Sequence, residues 1–170
     1  VQKKPKESFS NDFGAHHALA KEAAGEGAVL LKNEHNILPL KKDLKIAVIG
    51  AFAERPRYQG SGSSLIHPTR LDTLVTEMTT IAGEDQIMYA PGYSLTGSED
   101  DAYLLADAVE LAKKVDRVVL CVGLTDMDEV EGLDREHMLL PDSHNTLIET
   151  VLKVNSQTVV LLSNGSPVEM

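Results

Sequence analysis

Short, nearly continuous apolar runs alternate along this chain with amphipathic stretches, and the alternation predicts the fold. Runs of this kind are typical of strands covered on both faces. They occupy residues 45–50 (KIAVIG), 86–92 (QIMYAPG), 116–123 (DRVVLCVG) and 158–162 (TVVLL). Between them, apolar residues at helical spacing predict helices that begin near Leu71, reach Val115 and run from Pro141 to Asn155. Because strands alternate with helices, the predicted fold class is α/β, a three-layer α/β/α sandwich with a mostly parallel sheet.

The residues before the first of these strands differ in character. Residues 1–11 are polar and aperiodic, which predicts a linker or arm, and residues 12–170 are predicted to form one domain. Asn11 or Asp12 is the expected cap of a helix that runs to about Gly27 and carries a face of small apolar residues. The run AVLLKN at 28–33 predicts a short strand, and Ser98 followed by Asp101 predicts the cap of the helix that reaches Val115.

Two long loops follow strands that end in glycine, and they are the expected functional region. One loop, 51–69, contains GSGSS at 60–64, and the other, 125–141, is acidic. Since the carboxyl ends of parallel strands share one rim, where α/β proteins bind ligands, the two loops are expected to lie close together. The acidic residues of the loop 125–141 are Asp126, Asp128, Glu129, Glu131, Asp134 and Glu136. A loop carboxylate can act as a general acid if its surroundings raise its pKa, although composition alone favours a solvated acidic loop.

Composition and charge exclude several classes of function. The formal charge is −10, which argues against nucleic acid because phosphate backbones require clustered Lys and Arg. No apolar run approaches the roughly 20 residues of a membrane-spanning helix. Cys121 is the single cysteine and is expected to be a small buried hydrophobe; it slightly favours a cytoplasmic compartment. No His/Cys cluster has the spacing of metal ligands, so neither a metal nor another cofactor is expected.

The sequence also lacks the motifs of several other enzyme classes. The GSGSS segment lacks the Gly-Lys-Ser/Thr ending of a phosphate loop, and no dinucleotide fingerprint follows Gly50. No G-x-S-x-G elbow is present, so His67 and His144 are expected in a loop or on a helix surface. Asp134 and Arg135 are expected to form structural ion pairs with neighbouring loop groups. Because a guanidinium lowers the pKa of a nearby carboxyl group, Arg135 should not be the dominant neighbour of a general acid.

Several segments together resemble one family. They are HALAKEAAGEGAVLLKNEHNILPL, KIAVIG, GSGSS, VGLTDMDEVEGLDREHMLLP and VVLLSNGSPVEM. In this order they resemble the second domain of glycoside hydrolase family 3, from about His16 to Met170. That family includes β-glucosidases, β-xylosidases and N-acetylglucosaminidases. The resemblance implies a (β/α)8 barrel followed by an α/β sandwich domain, with the active site between the two.

The resemblance also assigns roles to residues of the two loops. In many members the general acid/base is the Glu before the Gly of an EG-x-DR segment, which is Glu131 here; Glu129 is the alternative because a slip of two residues would exchange them. Asp134 and Arg135 complete that segment. The family's G-x-G-S loop, which approaches the sugar, corresponds to Gly60 and its neighbours. The substrate-binding residues implied are Ser61, Gly62, Ser63, Asp134 and Arg135.

The function implied is that of a retaining, exo-acting β-glycosidase that hydrolyses O-glycosyl bonds of β-linked oligosaccharides or glycosides. The barrel would carry the nucleophilic Asp, and this domain would supply the acid/base. The domain is expected to be incomplete at its C-terminal end and inactive by itself. The implied partners are a β-linked oligosaccharide or glycoside substrate and the N-terminal (β/α)8 barrel of the same protein, without nucleic acid or membrane. A non-catalytic carbohydrate-binding or scaffold module is the alternative.

Overall fold

Four helices and four strands alternate in the region that was predicted to form the sandwich. The computed structural model describes residues 11–63, 65–97 and 101–170. In chain order the elements are α1 Phe13–Gly27, β1 Ile46–Ile49, α2 Leu74–Ala82, β2 Ile87–Ala90, α3 Asp101–Ala112, β3 Arg117–Gly123, α4 Asp142–Val154 and β4 Thr158–Ser163. Short 3₁₀ turns occur at Glu34–Asn36 and Ala51–Ala53. No helix in these ranges is long and apolar enough to cross a membrane.

The sheet is parallel throughout its four strands, in the order β2-β1-β3-β4. The chain moves from β1 to β2 in one direction across the sheet and from β2 to β3 and β4 in the other. With right-handed crossovers, α2 therefore covers one face while α3 and α4 cover the opposite face. This is the predicted three-layer α/β/α sandwich, and the prediction of fold class is confirmed.

The core is centred on β1 and β3, whose side chains are buried on both faces. Gly50 follows β1 at a point where the backbone of β3 is very close. Its φ is +127°, and a Cβ atom there would lie 2.1 Å from the carbonyl oxygen of Cys121, so that a larger residue would separate the strands. Cys121 is buried as predicted, and burial raises the pKa of its thiol to about 12.

The N-terminal region confirms one prediction and contradicts another. Asp12 caps α1 by accepting a hydrogen bond from the backbone N–H of Ala15 at 2.9 Å. No residue of α1 is buried, so its small apolar face does not join the core of the described residues. Residues 28–33 form no strand. The predicted strand at AVLLKN is therefore wrong: its side chains suit a strand, but in the described structure no neighbouring strand pairs with it.

Most other element ends lie within a few residues of the predicted ones. α2 begins at Leu74 instead of near Leu71 because Thr73 caps it, accepting a hydrogen bond from the N–H of Thr76 at 3.2 Å. The predicted cap Ser98 lies outside the described residues. Asp101 accepts a hydrogen bond from the N–H of Ser94 at 2.7 Å, and α3 ends at Ala112, before the predicted Val115.

The position of His144 corrects another prediction. This side chain is 1% exposed and is not on the helix surface. Its Nδ1 lies 2.9 Å from the carbonyl oxygen of Gly123, and its ring lies 4.0 Å from that of Tyr93. Burial lowers the pKa of His144, so the ring is neutral and acts as a core residue. It belongs to the buried stripe of α4, together with Leu147 and Val151.

Replacement of Leu147 tests which face of α4 packs on the sheet. Leu147 is fully buried, whereas Leu152 on the same helix is 42% exposed. Leu147→Ala leaves a cavity and is expected to lower the free energy of unfolding by about 2–5 kcal/mol. Leu152→Ala, the matched control, should lower it by less than about 1 kcal/mol. Urea unfolding followed by circular dichroism measures both, and equal losses would contradict this packing.

Candidate functional site

The candidate site lies where the sheet changes its direction of winding. The connections after β1 and after β3 leave toward opposite faces, so a crevice opens between the carboxyl ends of these adjacent strands. Such switch points are where open α/β sheets bind ligands. Two segments border the crevice: the β1 loop, residues 54–63, and the β3 loop, residues 124–133. They contain the predicted site residues Ser61, Gly62, Ser63, Glu129 and Glu131.

A local turn fixes the start of the β3 loop. The carboxylate of Asp128 accepts hydrogen bonds from the backbone N–H of Thr125 at 2.7 Å and from its hydroxyl at 2.8 Å. The N–H of Glu129 then donates to the carbonyl of Thr125 at 3.2 Å. Asp and Thr favour turns because their side chains bond to nearby backbone. The turn reverses the chain, so that Glu129 and Glu131 return toward the β1 loop.

The predicted proximity of the two loops is confirmed at Ser61. Its backbone forms a parallel bridge with Val130. Its hydroxyl lies 3.1 Å from the carbonyl oxygens of both Asp126 and Glu129, to which it can donate a hydrogen bond. The small polar side chain of Ser61 therefore joins two points of the β3 loop from the neighbouring loop.

Glu131 is exposed and is held by the next residues of the β1 loop. Its Oε2 accepts a hydrogen bond from the backbone N–H of Ser63 at 2.8 Å and another from the Ser63 hydroxyl. These hydrogen bonds lower the pKa of Glu131, because they stabilise the charged form. Arg135 has no part in this shift. The environment within this chain therefore favours a carboxylate anion at position 131.

Gly62 allows this approach. Its φ is +95°, and an added Cβ would lie 2.7 Å from the Cβ of Glu131 and 2.9 Å from its Oε2. A side chain at position 62 would be strained by the backbone conformation and would also push Glu131 away. Gly62 of the GSGSS segment is therefore required for contact between the loops. From the sequence, the glycines of this segment were expected only to allow the backbone to approach a sugar.

Glu129 occupies a different environment from Glu131. Its side chain is 14% exposed and points toward the segment after β4. It accepts hydrogen bonds from the N–H of Gly165 at 3.0 Å and from the hydroxyl of Ser166 at 2.7 Å. Partial burial raises the pKa of Glu129, but these hydrogen bonds and the charge of Arg57 lower it further, so the net shift is downward.

Arg57 is the site residue that the sequence did not single out. Its side chain is 8% exposed, and Nη1 lies 3.2 Å from Oδ1 of Asp126. Nε donates to the carbonyl of Leu124 at 3.2 Å, and Nη2 lies 3.5 Å from Oε2 of Glu129. An arginine in the loop next to an acidic loop could have indicated an ion pair. However, Arg55 is two residues from Arg57, and nothing in the sequence shows which of the two arginines makes the contact.

Asp134 and Arg135 lie beyond the turn at Gly132. Arg135 donates to the hydroxyl of Ser166 at 2.8 Å and to the carbonyl of Pro167 at 2.9 Å. Within the ranges that the structure describes, neither residue forms an ion pair, so the predicted pairing is wrong; neutral oxygens occupy the positions expected for carboxylates. Asp134 is exposed. Arg135 thus connects the chain just beyond the β3 loop to the segment after β4.

A cavity beside the loops offers space for a ligand. Its volume is about 390 Å³, within the range of small-molecule sites. Both loops contribute to its walls, with Phe52, Arg57, Leu71, Asp126 and Met127 among the lining residues. No group of three or more His, Cys, Asp or Glu side chains in the described part of the chain is arranged to hold a metal ion.

Comparison with known proteins identifies the domain. The sequence matches the model of the Glycosyl hydrolase family 3 C-terminal domain over residues 28–170. The chain belongs to this family. The family 3 domain is 50% identical over 166 residues to "Thermostable beta-glucosidase B" of Acetivibrio thermocellus. It is 41% identical over 170 residues to "Exo-alpha-(1->6)-L-arabinopyranosidase" of Bifidobacterium breve.

A solved structure agrees with both the fold and the family. The β-glucosidase of family GH3 from Bifidobacterium adolescentis superposes with a TM-score of 0.89 at 42% identity, and the match covers 97% of this chain. The match covers 24% of that crystallised chain. The two sequence relatives are covered over 97% and 94% of this chain, but over 22% of their own length. The family 3 domain therefore corresponds to less than a quarter of these proteins.

Removal of the Ser63 hydroxyl tests the contact that holds Glu131. Ser63→Ala removes one of the two donors to Oε2 and leaves the backbone N–H in place. The pKa of Glu131 is therefore expected to rise part of the way toward its ordinary value. Carboxyl carbon chemical shifts followed through an acid titration of this chain measure the change. Ser156→Ala, at an exposed turn before β4, is the control, and an unchanged Glu131 pKa in Ser63→Ala would contradict the contact.

Proposed function

We propose that this family 3 domain supplies the general acid/base to a retaining, exo-acting β-glycosidase of the β-glucosidase type, and that Glu131 is that residue. One observation carries the proposal: Glu131 is an exposed carboxylate on the rim, at the switch point, held by hydrogen bonds from one neighbouring residue. A second domain placed over the rim can reach it without rearrangement of the core.

The reaction proposed has two steps with opposite demands on Glu131. In the first, the protonated carboxyl group gives its proton to the glycosidic oxygen while a carboxylate of the barrel attacks the anomeric carbon. In the second, the Glu131 carboxylate takes a proton from water, which attacks the covalent glycosyl-enzyme and releases the sugar. Direct attack in such enzymes requires the two carboxyl groups to be about 5–5.5 Å apart, so the barrel must close on the β3 loop.

The lowered pKa of Glu131 suits the second step in this description. The donors of Ser63 stabilise the anion, which is the form that acts as a base. The first step needs the protonated form. Covering of the exposed carboxyl group by the barrel and a sugar would desolvate it, and desolvation raises the pKa of a carboxylic acid. The nucleophilic carboxylate close by would raise it in the same direction until the glycosyl-enzyme neutralises that charge.

The surroundings of Glu129 support Glu131 over this alternative. The carboxylate of Glu129 already binds the N–H of Gly165, the hydroxyl of Ser166 and Arg57. To reach a substrate above the rim, it would have to break these contacts, including its ion pair with the guanidinium of Arg57. Glu131 has no such cost. Slippage of the loop by two residues is therefore not needed to explain a carboxyl group at the rim.

The predicted substrate-binding residues divide into two groups. The side chain of Ser61 bonds the β3 loop and that of Ser63 bonds Glu131, so their proposed role is to shape the site together with Gly62. Arg135 binds the segment after β4 and acts in the same way. Asp134 is exposed on the rim, and we assign it the direct contact with a sugar hydroxyl, for which a carboxylate is a good acceptor.

The proposed substrate class is a β-linked glycoside, with a β-glucoside as the first to be tested. A named β-glucosidase is 50% identical to this chain, but a named arabinopyranosidase is 41% identical over a similar length. Domains so similar occur in enzymes named for different sugars. We therefore propose that the choice of sugar depends mainly on the rest of the protein, the (β/α)8 barrel, and that this domain supplies chemistry common to them.

Paired amide substitutions in the complete enzyme, barrel included, test the assignment. Glu131→Gln keeps the size of the side chain and removes the exchangeable proton, so kcat/KM for phenyl β-glucoside should fall by about 10²–10⁴-fold. The loss should be much smaller for dinitrophenyl β-glucoside, whose leaving group needs no proton, and azide should restore part of its turnover. Glu129→Gln, the matched control, should cause a smaller loss that is equal for both substrates and is not relieved by azide.

The outcomes separate the three interpretations. If Glu129→Gln shows the dependence on leaving group and azide rescue, the acid/base is Glu129 and the class of enzyme stands. If neither variant affects turnover, the domain is the alternative, a non-catalytic carbohydrate-binding or scaffold module. A retained ability to bind glucoside in that case, measured by calorimetry, would distinguish the binding module from the scaffold.

The chain by itself is expected to be inactive. Retaining hydrolysis needs two carboxyl groups, and the proposal takes only one of them from this domain. Incubation of the folded chain with an aryl β-glucoside should therefore release no phenol above the level of its own Glu131→Ala variant. Release that depends on Glu131 would mean that the nucleophile also lies within these residues.

A further inference from the structure

We infer that Arg57 is a positioning residue for Glu131: its guanidinium anchors the base of the β3 loop and thereby sets where the carboxyl group of Glu131 stands. The inference rests on the proposed role of Glu131. It concerns a residue of the β1 loop that has no place in the EG-x-DR segment or the GSGSS segment.

The guanidinium of Arg57 contacts the β3 loop along three residues. Nε donates to the carbonyl of Leu124, the first residue after β3, at 3.2 Å. Nη1 lies 3.2 Å from the carboxylate of Asp126. Nη2 lies 3.4 Å from the carbonyl of Glu129 and 3.5 Å from its Oε2. One planar group with several donors therefore spans the loop from its first residue to the residue two positions before Glu131.

Although Arg57 borders the cavity, its guanidinium group is already engaged by the β3 loop. The side chain is 8% exposed, and its charged partners are Glu129, 14% exposed, and Asp126, 69% exposed. Every nitrogen of its guanidinium group is directed at an oxygen of the β3 loop. The group acts on the reaction through the loop, and its role is positional.

The contacts continue from Arg57 to the tip of the loop in a regular order. Arg57 binds Glu129, Ser61 then pairs with Val130, and Ser63 then binds Glu131. Residues of the β1 loop thus meet successive residues of the β3 loop, from the sheet outward. The contacts at Ser61 and Ser63 involve small, uncharged side chains, and those at Ser63 are exposed. The contact of Arg57 with Glu129 is charged and partly buried, so its removal leaves a partly buried carboxylate without its cation.

The consequence for catalysis is geometric. A general acid must stand within hydrogen-bonding distance of the glycosidic oxygen, and displacement of a catalytic group by about 1 Å can cost about 10²-fold in rate. Loss of the anchor at Arg57 would allow the β3 loop to move away from the β1 loop, with Glu131 at its tip. Proton transfer should then suffer more than binding of the sugar, which the proposed function assigns mainly to the barrel.

Leaving-group dependence in the complete enzyme distinguishes this role from a purely structural one. Arg57→Gln should lower kcat/KM for phenyl β-glucoside by about 10–100-fold. For dinitrophenyl β-glucoside, which needs little protonation, the loss should stay below about threefold. Arg57→Lys retains a positive charge near Glu129 and should recover part of the loss. A structural defect that lowers the amount of folded enzyme would instead reduce the apparent kcat/KM for both substrates by the same factor.

The control is Arg70→Gln, which removes another arginine from the same connection. Arg70 is 62% exposed and pairs with Asp72, and no contact of its side chain with the β3 loop is found in the described part of the chain, so this variant should match the parent on both substrates. Glu131→Gln, measured in parallel, separates the two proposals. If Glu131→Gln shows the leaving-group dependence and Arg57→Gln does not, the inference about Arg57 is wrong and the proposed function stands. If Glu131→Gln shows none, the proposed function fails, and the inference fails with it.

Discussion

The site depends on contact between two loops that are far apart in sequence and adjacent in the sheet. Parallel pairing of β1 with β3 places the carboxyl ends of both strands side by side. Opposite winding of the chain after these strands then opens a crevice between their loops. Arg57, Ser61 and Ser63 bridge that crevice to the β3 loop, and without this contact the acidic segment would be the solvated loop that its composition suggests.

The contact also gives the two neighbouring glutamates different properties. Glu129 is turned inward, where it joins Arg57 to the segment after β4. Glu131 is turned outward, and in the described part of the chain its carboxylate accepts hydrogen bonds from the N–H and hydroxyl of Ser63. Both have lowered pKa values, but for different reasons. The first is a structural anion in a partly buried ion pair, and the second is an exposed anion whose surroundings would change whenever another surface covered it.

The sandwich could be predicted from the sequence because its four strands and the helices between them have clear hydrophobic patterns. Apolar runs that end in glycine predicted strands buried on both faces, and helical spacing predicted α2, α3 and α4 to within a few residues. The failure at residues 28–33 has a physical cause: side chains that suit a strand do not supply a partner strand. His144 was misjudged in isolation, although its spacing to Leu147 and Val151 places it on the buried stripe of α4.

Within the site, the sequence predicted which loops meet but not which side chains join them. Because the loops follow adjacent parallel strands, the topology of the sheet requires only that residues 60–63 and 129–131 come close. The choice of Arg57 over Arg55 as the cation that binds the β3 loop, and the inward turn of Glu129, depend on atomic distances that no spacing rule contains. Conversely, the role of Glu131 came from resemblance to a family and remains a prediction, because a carboxylate on a rim has the same geometry in a binding module.

The residues that join the β1 loop to the β3 loop all belong to this domain, and this has a consequence for protein engineering. A proton donor whose surroundings are assembled inside one module can be moved with that module. Under the proposed function, chimeras that join this sandwich to the remainder of family members named for other sugars would exchange the leaving-group chemistry without exchanging sugar preference. The boundary of the transferable unit would then be set by α1, whose residues are not buried in the sandwich.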